Sequence, residues 1–302
     1  MNTNWKLGLG FSLMTVAMWG LLPLALKAVL QVMDPITISW YRFSASAAIA
    51  FAWYGRSSAP ALARMLGRGQ WPLSLATVAG LVGNYVFYIW GLDHINPGAS
   101  QILIQLAPLI LLIGSVVIFK ERFSLQQWLG VASFSGGLLL FFHQRLNSIV
   151  ATDSGYLVGV ALIVGASITW AVYGLAQKQL LSKRHHAKDI LFLICLAGTV
   201  LLWPLAEPGQ IRNLNGTELL LLGFCGFNTI IAYGAFGLAM SHWQASRVSA
   251  VIPLTPLLTL IFTFLLNHWQ LADIAAEPMD WLSWLGALLV VFGAAAAALL
   301  KR

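Results

Sequence analysis

The sequence predicts an all-α integral membrane protein: ten transmembrane helices as two inverted five-helix repeats. Three observations predict it. Hydrophobic residues make up 59% of the 302-residue chain, charged residues only 9%, and the mean hydropathy is +0.80. A soluble domain carries about 25% charged residues, so water is not the main solvent of this surface. Charges and turn residues divide the chain into ten apolar runs, each close to the ~20 residues that cross hydrocarbon as a helix. A nine-residue phrase also recurs, WGLLPLALK at 19–27 and WAVYGLAQK at 170–178, sharing Trp19/Trp170, Leu24/Leu175, Ala25/Ala176 and Lys27/Lys178 at an offset of 151.

The first run, 7–30, follows Lys6 and has no small-residue cleavage site, so it reads as a span and not as a signal peptide. The second, 36–54, begins after Asp34-Pro35 and stops at GRSSAP (55–60). The third, 72–92, ends at DHINPG (93–98), and the fourth, 99–119, ends at KER (120–122). The fifth, 126–143, ends at HQRLN (143–147). The sixth, 156–177, precedes SKRHHAKD (182–189), and the seventh, 190–206, precedes EPGQ (207–210). The eighth, 219–240, ends at SHWQ (241–244). The ninth, 246–266, precedes ADIAAEPMD (272–280), and the tenth is 282–300.

Orientation follows from Lys and Arg, which collect in cytoplasmic loops. With the N-terminus inside, inner segments hold thirteen: Lys6, Arg56, Arg64, Arg68, Lys120, Arg122, Lys178, Lys183, Arg184, Lys188, Arg247, Lys301 and Arg302. Outer loops hold Arg145 and Arg212, while Lys27 and Arg42 lie within spans. Eight of ten acids fall outside, with Glu121 and Asp189 the inner pair. The net charge of +7 is thus topology, its basic residues form no cluster, and no nucleic-acid partner is needed to explain it. Both termini are expected in the cytoplasm, and the protein in a bacterial inner membrane. Trp5, Trp53, Trp71, Trp128, Trp203, Trp269, Trp281 and Trp284 fall at span ends, where amphipathic rings prefer the interface; Trp19 and Trp170 lie well inside.

The repeat continues. GLDHINPGAS (91–100) matches GLAMSHWQAS (237–246) at Gly, Leu, Ala and Ser, WLG (128–130) matches WLG (284–286), and Gly137 matches Gly293. The offset drifts, as loop insertions make it drift. Five helices per unit is an odd number, so residues 1–150 and 151–302 would enter the membrane from opposite sides, the plan of many secondary transporters.

Together with an Arg-Phe pair in the second run (Arg42-Phe43) and a proline-bearing fourth run ending in Glu (APLILLIGSVVIFKERF, 107–123), this pattern resembles the drug/metabolite transporter superfamily in its EamA-like branch. The resemblance covers essentially the whole chain and implies two EamA-like repeats. One departure is that the ninth run ends in Asn267-His268 where the first half has Glu121-Arg122. The resemblance implies export of amino acids or other small metabolites; uptake or exchange of nucleosides or nucleotide sugars is the alternative it leaves.

Candidate site residues follow from chemistry at depth. Pro108, and Pro253 with Pro256, sit at matching places in the two halves, where interrupted helices point to a binding site or a packing kink. Asn84, Tyr85 and Tyr88, then Gln101 and Gln105 on one helical face, then Asn228, Thr229 and Tyr233, with Trp19, Trp170 and Tyr173, offer hydrogen bonds and aromatic faces. The competing reading for each polar residue is interhelical bonding. Lys27 lies about 5 Å from a span end and can snorkel; Arg42 lies about 9 Å in, and a role in transport stands beside a capping or pairing role with Asp34 or helix-end carbonyls. No Asp or Glu lies mid-membrane, which favours facilitated diffusion or exchange over proton coupling, unless His94, His242 or His268 titrates. Gly80/Gly83, Gly136/Gly137, Gly155/Gly159, Gly234/Gly237 and Gly293 with Ala297 permit close helix approach, and the fifth and tenth runs are a candidate homodimer face. Cys195 and Cys225 lie in apolar runs and suggest neither a disulfide nor a metal. No nucleophile–base pair, metal motif or cofactor motif appears, so an enzyme is not expected and no cofactor is implied. A channel would need a charged or carbonyl filter, and a receptor is the remaining non-transport reading.

Overall fold

A computed structural model describes residues 4–67, 69–119, 124–141, 143, 154–243, 248, 251–269 and 279–299. All regular structure among them is helical. Helices α1 (Trp5–Val29), α2 (Pro35–Ala50), α3 (Arg56–Leu66), α4 (Trp71–His94), α5 (Pro97–Leu103), α6 (Leu106–Phe119) and α7 (Leu125–Phe141) make up the first half. Helices α8 (Ser154–Ser182), α9 (Ala187–Leu202), α10 (Gly216–His242), α11 (Thr255–His268) and α12 (Trp281–Leu299) make up the second. Among the described residues, five stretches are long and apolar enough to cross a membrane: Trp5–Val29, Trp71–His94, Gly155–Ser182, Ala187–Leu205 and Gly216–Ala239. Shorter apolar helices cover Pro97–Leu111, Ile252–His268 and Trp281–Ala296. The loop charges Lys120, Glu121, Arg122, Arg145, Arg247, Lys301 and Arg302, and most of the 272–280 loop, lie outside the described residues.

The helix starts follow from local chemistry. Asp34 caps α2 by accepting from the Ile36 and Thr37 amides, with Pro35 in the first turn where its missing N–H costs nothing. Asn215 and Glu218 form a reciprocal capping box on α10. One helix was not expected. The GRSSAP stretch, read as a loop, continues from α2 through a π-helical turn (Phe51–Gly55) into α3. There Ser58, Ala61 and Met65 are buried at helical spacing while Arg56 and Arg64 face out. Ser58 donates to the buried Asp189 carboxylate, tying α3 to the start of α9.

Packing pairs helices across the two halves. α4 lies along α8 and α1 along α10; α6 packs on α8 and α11 on α1; α2 meets α9, and α7 meets α12. Small residues permit the closest of these approaches. A Cβ at Gly80 would lie 2.7 Å from the Tyr173 amide nitrogen, so α4 and α8 touch through their backbones. A Cβ at Gly137 would lie 2.7 Å from the Gly286 carbonyl oxygen, so α7 and α12 also touch through their backbones within one chain.

The exterior suits lipid. Large apolar side chains such as Phe51, Leu220, Phe264 and Phe292 are exposed. The eight tryptophans assigned to span ends are exposed, whereas Trp170 is 7% exposed and Trp19 is half-buried in the core.

Candidate functional site

Three proline-bearing helices shape the centre of the bundle. Proline cannot donate to the carbonyl four residues back and its ring presses on that carbonyl. Pro108 therefore opposes a bond to the Ile104 carbonyl, and the fourth run breaks between α5 and α6, where the Gln105 amide bonds Ile102 instead. The Gln101 carbonyl, left by that break, is taken by the Gln105 side-chain Nε2 at 3.3 Å. In the second half Pro253 and Pro256 mark a 3₁₀ turn (Ile252–Leu254) ahead of α11, and Thr255 Oγ1 donates to the Ile252 carbonyl at 2.6 Å. Pro23 does the same within α1, freeing the Trp19 carbonyl, which accepts from Gln101 Nε2 at 3.2 Å. The flanking carbonyls are also held from outside the helix: Met18 by Asn228 Nδ2 (2.6 Å) and Gly20 by Thr259 Oγ1 (2.9 Å).

These breaks surround a cavity of about 80 Å³. Trp19 and Leu22 of α1, Trp170 of α8 and Tyr233 of α10 supply its aromatic and apolar wall. Asn84, Tyr85 and Tyr88 of α4, with Gln101, Gln105 and Pro108 of the fourth run, supply the polar side. Ile252 and Thr255, from the second broken helix, close it. The two tryptophans of the repeated phrase meet here, rings 6.5 Å apart and edge-on at 81°. Trp19 also sits 5.2 Å from Tyr233 and 5.7 Å from Phe236.

Arg42 lines the cavity and is the only charged residue among its described lining residues. It is 2% exposed. Its Nε donates to the Cys225 carbonyl at 3.2 Å, and its guanidinium carbon lies 4.2 Å from the centre of the Tyr85 ring. The Tyr85 ring also stacks on Phe43 at 4.5 Å, and its hydroxyl donates to Thr229 Oγ1 at 3.1 Å. Gln101 Nε2 reaches the Tyr88 hydroxyl at 3.0 Å as well. Among the described residues, the buried Gln105 Oε1 has no hydrogen-bond partner.

Eight of the eleven polar and aromatic residues expected at a binding site line this cavity: Trp19, Asn84, Tyr85, Tyr88, Gln101, Gln105, Trp170 and Tyr233. Tyr173, Asn228 and Thr229 do not. Tyr173 packs against Trp170 and Tyr233 in the core, and Asn228 bonds α10 to α1. Asn84 bonds the Ala166 carbonyl of α8 at 3.0 Å, so it serves both packing and cavity. Pro253 and Pro256 flank the lining without joining it. Of the two kinds of partner considered for Arg42, Asp34 caps α2 instead, and a backbone carbonyl, that of Cys225, accepts from Arg42. Lys27 is held at its own end of the bundle, where its Nζ donates to the carbonyls of Leu92 (2.7 Å), Asp93 (3.0 Å) and Ile95 (3.3 Å) at the end of α4. His94 and His242 bond carbonyls one turn back on their own helices, and His268 stacks on Phe264, all away from the cavity. Among the described residues no group of His, Cys, Asp and Glu could hold a metal. Ile252, Thr255 and Thr259 went unnoticed in the sequence, although Pro253 and Pro256 beside them carried the signal.

Comparisons with known proteins agree on the family. The model of the EamA-like transporter family matches residues 6–143 and again 157–299. The chain is 42% identical over 292 residues to "Uncharacterized inner membrane transporter YhbE" of Escherichia coli (strain K12), covering 95% of this chain and 90% of that one. It is 37% identical to an "Uncharacterized transporter" of Haemophilus influenzae, over 95% and 93% of the two chains. A "Probable amino-acid metabolite efflux pump" of Escherichia coli (strain K12) is 23% identical over 93% of this chain and 91% of its own. A solved crystal structure at 21% identity superposes with a TM-score of 0.66 over 98% of both chains, which speaks to the fold alone. With most of its length matched by that family model, the chain belongs to the EamA-like transporter family.

Proposed function

We propose that this protein is a multi-pass inner-membrane secondary carrier, with no enzymatic activity, that exports small organic solutes, amino acids or related metabolites, by alternating access. The observation that carries the reading is the cavity itself. It lies where the repeated tryptophans meet, between two helices interrupted by proline at corresponding places, and such interruptions are a transporter's pointer to its binding site. The two separate matches to one family model support two repeats, 1–150 and 151–302. The pairing of helices supports them too: exchanging the halves turns α4–α8 into α10–α1 and α6–α8 into α11–α1, while α2–α9 and α7–α12 map onto themselves. Ten spans with both termini cytoplasmic follow from this reading and the Lys/Arg distribution. An amino-acid-type solute is supported by the name of the efflux-pump relative and by the aromatic wall. Transport would proceed by rocking of α4, α5 and α6 against α10 and α11 about Trp19 and Trp170.

Counterflow in proteoliposomes tests the reading, with labelled amino acids, small organic acids, nucleosides and sugars, with and without a pH gradient, beside Trp19→Ala. Uptake of one solute class, lost in Trp19→Ala, is the expected result. A second arm places single cysteines on either side of Asn84 and Asn228; accessibility that stays fixed whatever the solute would rule out alternating access.

A further inference from the structure

The charge inventory of the cavity is one-sided. Arg42 spends Nε on the Cys225 carbonyl, and among the described residues neither terminal nitrogen has a hydrogen-bond partner and no carboxylate lies within ion-pair distance. An arginine keeps its charge inside a protein, and a buried charge is normally paired. The ring of Tyr85 compensates one face of the guanidinium but accepts none of the four remaining N–H donors. On the same cavity wall Gln105, 2% exposed, leaves Oε1 without a donor. Gln101 cannot serve it, because its amide nitrogen is already shared between the Trp19 carbonyl and the Tyr88 hydroxyl. The cavity thus presents a fork of unused cationic donors and one unused neutral acceptor, against an aromatic wall.

Resting on the carrier reading above, we infer that the solute is a small monocarboxylate. Its carboxylate is held by the terminal nitrogens of Arg42, a neutral N–H or O–H is accepted by Gln105 Oε1, and its apolar part lies against Trp19, Trp170 and Tyr233. A guanidinium fork matches a carboxylate's two oxygens. One fixed positive charge fits one negative charge. A dianionic phosphate ester would bring a second charge with no partner, and an ammonium would meet no lining acid, because none of the lining residues is Asp or Glu. Hydroxy acids and N-acylated amino acids therefore fit better than free amino acids, whose ammonium would have to rest on aromatic faces.

The test is counterflow with two matched series, lactate, propionate, alanine, ethylamine and lactamide, and their benzyl-bearing counterparts, in wild type, Arg42→Gln, Arg42→Lys and Gln105→Leu. In wild type the hydroxy acids should exceed the carboxamides and amines by about 10- to 100-fold, the range one charge-assisted pair commands. Arg42→Gln should erase that preference and Arg42→Lys keep part of it. Gln105→Leu should weaken lactate relative to propionate while leaving the acid-over-amide preference intact. Amines or carboxamides carried as well as acids, or acids carried by Arg42→Gln as by wild type, would overturn the assignment while leaving the carrier reading in place. Should Arg42→Gln fail to fold, the wild-type ratio of acid to carboxamide decides alone. If none of these solutes and none of the wider panel is carried, the carrier reading itself fails, and this one with it.

Discussion

The end of α4 and the central cavity each hold one cation that the sequence places inside an apolar span, Lys27 and Arg42. At the end of α4, three backbone carbonyls that no longer have helical partners converge on the Lys27 ammonium. Three donors meet three acceptors, and the negative end of the helix dipole adds to the attraction. At the cavity, among the described residues, the five N–H donors of Arg42 meet one carbonyl and one aromatic face. Burial alone does not separate a structural cation from a ligand site. The unspent donors do, and they make opposite predictions for the two residues.

Removing the Arg42 charge should have the largest effect on transport and the smallest on folding. In Arg42→Met, uptake of any carried acid should fall at least about tenfold. The melting temperature should hold or rise, because an apolar replacement relieves a buried charge that lacks an ionic partner. Lys27→Met should do the reverse. It strands three carbonyls at the end of α4 and should cost about 1–3 kcal/mol of stability. The protein that does fold should bind solute with an unchanged half-saturation constant. Thermal unfolding in detergent and counterflow on the same preparations give both numbers. A stability loss in Arg42→Met equal to that in Lys27→Met would erase the distinction.

The two asparagines sharpen it at smaller scale. Asn84 and Asn228 each donate to a carbonyl across the pair of halves, to Ala166 and Met18, but only Asn84 lines the cavity. Replacing either by Leu should cost on the order of 0.6 kcal/mol, a typical interhelical bond in a membrane. Asn84→Leu alone should also raise the half-saturation constant. Equal transport defects in both would mean that the cavity wall is less local than its lining suggests.

Much of this was legible because membrane insertion writes simple rules into sequence. Span positions came from apolar run length, and the outward tryptophans from their amphipathic rings. Most cavity residues came from the rarity of polar groups at depth. What could not be read is which way a helix faces. α1, α4 and α8 are apolar nearly all round, so Tyr173 and Asn228 carried the same mark as Tyr85 and Asn84 and yet turned into the packing. Pro23 stood in the repeated phrase, but its effect is to free the Trp19 carbonyl, and the partner that takes it, Gln101, lies 82 residues away. α3 was missed because its charges ended the apolar run, although Ser58, Ala61 and Met65 already showed helical spacing. The recurring phrase, with the resemblance to a family beside it, carried the plan of two repeats; the assignment of Arg42 needed the side chains around it.

His185, in the turn between α8 and α9, is a third basic group under the same pressure, and it shows the escape that arginine lacks. Its Nε2–H donates to Gln70 Oε1, while among the described residues the buried Nδ1 has no partner. Desolvation, and then the nearby Arg64 charge, hold its protonation below the ordinary histidine range, with Asp189 opposing in part. Histidine can answer by staying neutral; Arg42 cannot, and is left needing an anion. The sign of the pH effect follows. Unfolded chain takes up this proton near pH ~6.5, whereas the folded protein takes it up only at lower pH. Between those two values the unfolded state binds more protons, so stability falls as pH drops below about 6.5 and is unaffected above it. The melting temperature of wild type should therefore decline more steeply from pH 7 to pH 5.5 than that of His185→Gln, by a margin smaller than the Lys27→Met effect. Parallel declines would place the proton uptake on another group, and would leave His185 a neutral hydrogen-bonding residue with no part in the charge balance.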